Sequence, residues 1–282
     1  MNPKAPSLTA YDFLGYIVPG LGILLLVDVS VFYHFSGADF SYESICKRYT
    51  DIKIAGVIPL LLLSYLVGHV IGFCSAVLIE RHSTWLHGNP TSFLLWDVSP
   101  ESYFTTGGVS PKFSKVFRTL TAVMILPISA VDFLFAYVIP LSKNYMRPLD
   151  SLLVRASGAA TRRIFDNLGI DLIEREDEIE SLDIHRLTIH CAIESAPNHV
   201  ASLRNYVVLY GFLRSVALIL VCVFWVLIFH LNGRYVWWHV LLWTGLVAIF
   251  SYIVYAAFVK FRIRYHREGI MAVIASRANL AS

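Results

Sequence analysis

The sequence predicts an all-α integral membrane protein with four transmembrane helices, a fifth apolar segment at 119–141 that is re-entrant or interfacial, and a helical cytoplasmic domain between spans two and three. Three observations lead there. The 282 residues are 56% hydrophobic and only 15% charged, with a positive mean hydropathy, outside the range of a soluble domain. Four runs, at about 13–35, 54–79, 207–231 and 236–259, each reach the roughly 20 apolar residues that a hydrocarbon core requires. The basic residues are distributed unequally around those runs. With both termini cytoplasmic, the outside holds Lys47, Arg48, Lys53 and Arg234, and the other 19 of 23 lie inside or at the inner end of a span.

The chain then divides into an N-terminal transmembrane hairpin (1–80), a cytoplasmic domain (81–206), and a C-terminal hairpin with a basic tail (207–282). Residues 1–11 carry one lysine and lead into the first span with no small-residue cleavage site behind it, so that span is expected to be retained. It contains Asp28. In the second span Ser64, Gly68, Gly72 and Ala76 recur every four residues, a small-residue ridge that lets another helix approach closely. His69 lies beside the ridge. An imidazole finds no hydrogen-bond partner among lipid tails, so it is expected to face protein or water, with Asp28 or Asp132 as candidate partners. The ridge serves either packing within the subunit or a subunit or pore-proximal interface.

Residues 80–111 are rich in turn formers and read as an irregular connector. The segment 119–141 is apolar enough to cross but holds Asp132, Pro127 and Pro140 between two basic flanks, which disfavours a crossing. A five-span arrangement also satisfies the charge rule. Residues 148–167 read as a helix with Arg155 and Arg162 seven apart on one face. The acidic run 174–181 reads as a solvated helix start or loop, and 182–194 as a second helix. Ser195 can cap the next helix, with Pro197 in its first turn, and nothing but Gly211 interrupts the pattern before Leu231. One helix is therefore expected to run from the cytoplasm into the third span. Asn232-Gly233 turns the last hairpin, Tyr235, Trp237 and Trp238 suit the outer interface, and Lys260, Arg262, Arg264 and Arg267 mark the inner end.

The four cysteines have no CxxC spacing and read as small apolar residues. Arg147, Arg155, Arg162 and Arg163 are the candidate ligand-binding residues, because the planar guanidinium matches phosphate and carboxylate. Salt bridges to the acidic run, contact with lipid headgroups and plain topology account for the same arginines. Among His185, His190, Cys191, Glu194 and His199, only His190 and Glu194 have i, i+4 spacing, so no metal and no cofactor is expected. Nucleophile-elbow, Walker and dinucleotide signatures are missing, and catalysis is not expected.

"YDFLGYIVPG" (11–20), "SYLVGHVIGFCSAVLIERH" (64–82) with "GNP" (88–90), and "HCAIESAPNHVASLRNYVVLYGFLRS" (190–215) resemble a group of bacterial multi-pass membrane proteins, some of which are the membrane components of anti-phage defence systems. The resemblance covers about half the chain. It implies an oligomeric effector of the bacterial inner membrane, whose channel or membrane disturbance is gated by a cytoplasmic anion such as a nucleotide or oligonucleotide. The implied partners are a homo-oligomer, the lipid bilayer and possible soluble proteins of the same system. The alternative is a non-channel membrane scaffold or sensor that recruits a soluble partner. A transporter would need matched halves, and a lipid-modifying enzyme would need a converging acid, base or metal set.

Overall fold

A chain in lipid has no water to satisfy its backbone, so it closes its hydrogen bonds within helices. The computed structural model describes residues 12–36, 43, 54–96, 103, 111–138, 148–167, 190, 197–231 and 237–279, and none of these lies in a strand. Among them are four helices long and apolar enough to cross a membrane. The structure is that of an all-α, multi-pass membrane protein.

The first span is a π-helical turn, Phe13–Ile17, continuing into α1 (Val18–Ser36). The second is α2 (Ile54–Ser75), a second π turn at Ala76–Glu80, and then α3 (Arg81–His87). The first part of the expected connector, 81–96, is therefore helical on both sides of Gly88 and Asn89, a correction to the sequence reading there; most of the rest lies outside the described residues. Within 81–96 the turn formers act at one point. Gly88, at φ 79°, donates its N–H to the Thr84 carbonyl at 2.9 Å and ends α3, and Pro90 opens α4 (Pro90–Trp96).

The 119–141 segment is not one straight helix. α5 (Pro111–Met124) and α6 (Leu126–Val138) meet at Ile125 with a 95° bend. Pro127 has no N–H to give the preceding turn, so the first helix stops before it and Pro127 sits in the first turn of α6. The break is buried in protein: Ile125 and Ile128 have no exposed surface. Ser129 Oγ donates to the Ala122 carbonyl at 2.7 Å, and Trp225 Nε1 donates to the Met124 carbonyl at 2.8 Å. Broken backbone survives at membrane depth only with such partners.

α7 (Ser151–Asn167) is capped by Asp150, whose Oδ1 accepts from the Leu152 N–H at 2.9 Å. α8 (Pro197–Leu231) has 35 residues and α9 (Trp237–Asn279) has 43, roughly 52 and 64 Å of helix, well beyond a bilayer core of about 30 Å. As expected, one helix carries the third span and its approach, so the 206/207 division falls inside α8. The residues after 259, expected as a basic tail, continue α9 and bury Ile263, Ile270 and Val273. α8 and α9 run antiparallel in contact, with Tyr210 against Phe258 and Tyr206 against Phe261. Their core joins Ala217, Leu218 and Val221 to Tyr255 and Phe258, and takes in Ile79, Leu94 and Ile125 from the other elements. Ala160 and Ile164 of α7 pack on Ala272 and Val273 of α9. Turned outward are Ile58, Leu62, Leu66 and Phe73 on α2, and Leu242, Leu246 and Phe250 on α9.

Candidate functional site: a charged layer at the basic end of the spans

The apolar run of span two ends at the π turn Ala76–Glu80. A π turn inserts one residue into the helix and rotates the residues after it by about 100° relative to a regular α-helix. The ridge that precedes it faces α1, whereas Glu80 at its end and Ser83 and Thr84 after it meet α8 and α9.

Arg214 enters from α8. Its Nε donates to Ser75 Oγ at 3.1 Å, its Nη2 to the Gly72 carbonyl at 3.3 Å, and its Nη1 pairs with Glu80 Oε2. Arg262 enters from α9, only 8% exposed, with Nη2 donating to Thr84 Oγ1 at 3.0 Å and lying 3.7 Å from Glu80 Oε1; its Nη1 is 3.5 Å from Ser83 Oγ. One carboxylate thus bridges two arginines on the two long helices. Burying either guanidinium without a counter-charge is costly, so the layer holds α2, α8 and α9 in one register.

A polar clasp joins this layer to the broken helix. Tyr103 OH donates to the Arg118 carbonyl at 3.2 Å and lies 3.1 Å from His82 Nδ1. The Arg118 guanidinium donates to the Tyr103 carbonyl and sits 5.1 Å over the Trp85 ring. Burial pushes the Tyr103 phenol up to about 12, against the opposing pull of Arg118, so the phenol keeps its proton at neutral pH. That proton serves the Arg118 carbonyl, so His82 donates from Nδ1 and presents a bare Nε2, which has no partner among the described residues.

The structure places the expected site residues as follows. Ser64 and Gly68 are buried, and the ridge is a helix interface, but the helix it meets is α1 of the same chain. A Cβ on Gly68 would collide with the Tyr16 backbone, and one on Gly20 with the Ser64 carbonyl. The Gly68 edge of the ridge is thus packed within the subunit, the first of its two expected uses. Gly72 meets only the Tyr16 ring, and Ala76 lies in the π turn, where the four-residue repeat ends. His69 stacks on Tyr16, with ring centroids 3.8 Å apart, and meets the edge of Tyr65, while the rest of the ring is exposed. Its expected carboxylate partners are elsewhere. Asp28 lies 12 residues beyond Tyr16 on the same helix, about 18 Å away along its axis, and Asp132 bonds to Tyr252.

Arg155, Arg162 and Arg163 are all exposed on α7. Arg147 lies outside the described residues, as do the acidic run, Asn232-Gly233, His185, Cys191, Glu194 and Cys46. His190 is exposed, and His199 is engaged with Glu268 at 2.8 Å between α8 and α9. Cys74 and Cys222 are free thiols. The sequence reading missed Glu80 and the pairing of Arg214 and Arg262 with it. The available signal was a carboxylate closing one apolar run and an arginine seven residues into another, two opposite charges at the same end of neighbouring spans. No protein-family model, no curated protein and no solved structure matches this chain.

Proposed function

We propose that this chain is the subunit of an oligomeric effector of the bacterial inner membrane, a channel or permeabilising assembly gated by an anionic cytoplasmic signal. The observation that carries the reading is the Glu80 layer. It ties span two to two helices that run on far beyond the bilayer, so a displacement of their distal ends reaches the spans through one carboxylate. The basic end is the cytoplasmic one: Lys115, Arg155, Arg162, Arg163, Lys260 and Arg264 are exposed there, and Trp237 and Trp238 are exposed at the opposite end. The exposed arginines of α7 receive the anion, a nucleotide or oligonucleotide in the nearest analogy to anti-phage systems. With the glycine ridge filled by α1, subunits meet through the outward faces of α2 and α9.

The test is the full chain in liposomes, with ion flux and subunit number measured together. Oligomers whose flux depends on an added anion, and a Glu80→Gln variant whose flux no longer depends on it, support the reading. Monomers without flux under any anion would overturn it. A second reading, a non-conducting scaffold or sensor for a soluble partner, is favoured by the apolar outward faces of Leu62, Leu66, Leu246 and Phe250, which suit lipid rather than water. It predicts oligomers with no flux and a soluble protein bound to α7.

A further inference from the structure

His69 is the polar exception on the outward face of α2. Ile58, Leu62, Leu66 and Phe73 stand with it within about 80° around the helix, and all five are exposed. Ten residues, about 15 Å of helix, separate His69 from Ile79 at the basic end of the apolar run, so the imidazole lies inside the hydrocarbon layer rather than at its edge. The ring is held in place: it stacks on Tyr16 with centroids 3.8 Å apart and meets the edge of Tyr65 at 4.6 Å. Those contacts satisfy neither nitrogen, and His69 has no hydrogen-bond partner among the described residues.

A neutral imidazole carries one donor and one acceptor, acyl chains offer it neither, and leaving both bare in lipid is costly. The described helices that pack on α2 do so elsewhere, α1 against Gly68 and α8 through Arg214 at the basic end. The missing partner therefore comes from another molecule. A second copy of this chain supplies it by symmetry. Copies inserted in one orientation are related by an axis along the membrane normal, which brings the same residue of each to one depth, and at the axis equivalent residues meet. We propose that the His69 face of α2 is the contact between copies of this chain, with the imidazoles of a closed ring of subunits joined donor to acceptor around the axis. The proposal rests on the oligomeric reading above and deepens it by putting α2, rather than α9, at the axis.

The test uses the full chain in phospholipid vesicles, in a background without the four native cysteines. A single cysteine at 66 or at 73, flanking an intact His69, should give disulfide-linked dimers on oxidation with copper phenanthroline, and one at 246 on α9 should not. Separately, His69→Leu, which suits lipid, should weaken assembly about tenfold by particle size against dilution in detergent. His69→Gln, whose amide keeps both a donor and an acceptor, should assemble as the parent does. Retained circular dichroism shows that each variant is folded. Assembly unchanged in His69→Leu, crosslinking at 246 but at neither 66 nor 73, or alkylation of a cysteine at 69 by a charged maleimide at the rate of a free thiol in anion-free vesicles would each overturn the proposal. Anion-dependent flux from oligomers that fail these tests removes the His69 contact and leaves the effector reading standing. Crosslinked oligomers without flux under any anion support the contact and remove the channel reading alone.

Discussion

At the scale of single residues, two kinds of position separate cleanly. Gly68→Ala and Gly20→Ala place a methyl group into backbone that cannot rotate away, and each should cost about 1–3 kcal/mol. Gly72→Ala meets only the Tyr16 ring at 3.5 Å, an ordinary contact, and should stay within about 0.5 kcal/mol. Thermal unfolding in detergent measures all three, and equal effects would contradict the α1–α2 register. Glu80→Gln leaves two arginines around a neutral amide. It should cost about 1–3 kcal/mol, short of a fully buried pair because Glu80 is 29% exposed. Arg163→Gln, exposed on α7, should change stability by no more than about 0.5 kcal/mol. The ridge was legible as a close-packing surface, because small residues at i, i+4 have few other uses in a membrane helix. Its partner was not, since periodicity says that a helix approaches and never says which one.

At the scale of elements, the informative feature is the break between α5 and α6. Its stability depends on donors from outside the broken backbone. Trp225→Phe withdraws the indole N–H from the Met124 carbonyl and should cost about 1–2 kcal/mol. Hydrogen exchange should then quicken at Ile125 and Ile128 while the α8 amides around Trp225 stay protected. Uniform loosening of both elements would mean that the indole has a different role. Pro127 and the two basic flanks were enough to anticipate an interrupted segment. The donor was not, because Trp225 lies 101 positions from the carbonyl it satisfies. The same limit applied to "HGNP": among the described residues of 80–111, the turn propensity is used at Gly88 and Asn89. The flanking residues are helical because they pack on α9, where Thr91 bonds to His266 at 3.0 Å.

At the scale of the whole molecule, the arrangement is a set of membrane helices of which two continue as a long antiparallel pair, with α7 resting on its basic end. Orientation can be checked directly. In a background without the four native cysteines, a cysteine at position 163 should react with an impermeant maleimide only in inverted vesicles, and one at 238 only in right-side-out vesicles. Labelling of both from one side would overturn the assignment of the basic end to the cytoplasm. The Glu80 layer belongs to this scale too. Its three charged residues come from three helices, with Glu80 more than a hundred positions from either arginine, and each alone reads as an ordinary charge at the edge of a span.

Composition and run length alone determined that the chain is helical and crosses a membrane, since a segment of about 20 apolar residues has no other stable home than lipid. The interrupted segment, the close-packing ridge and the single helix through span three were equally local, each written into spacing along one element. Which helix fills the ridge, which indole closes the break and which carboxylate receives Arg214 and Arg262 were decided only in the tertiary structure. Those pairings depend on helices distant in sequence meeting at one depth, and a pattern confined to a single helix carries no term for the distance between two.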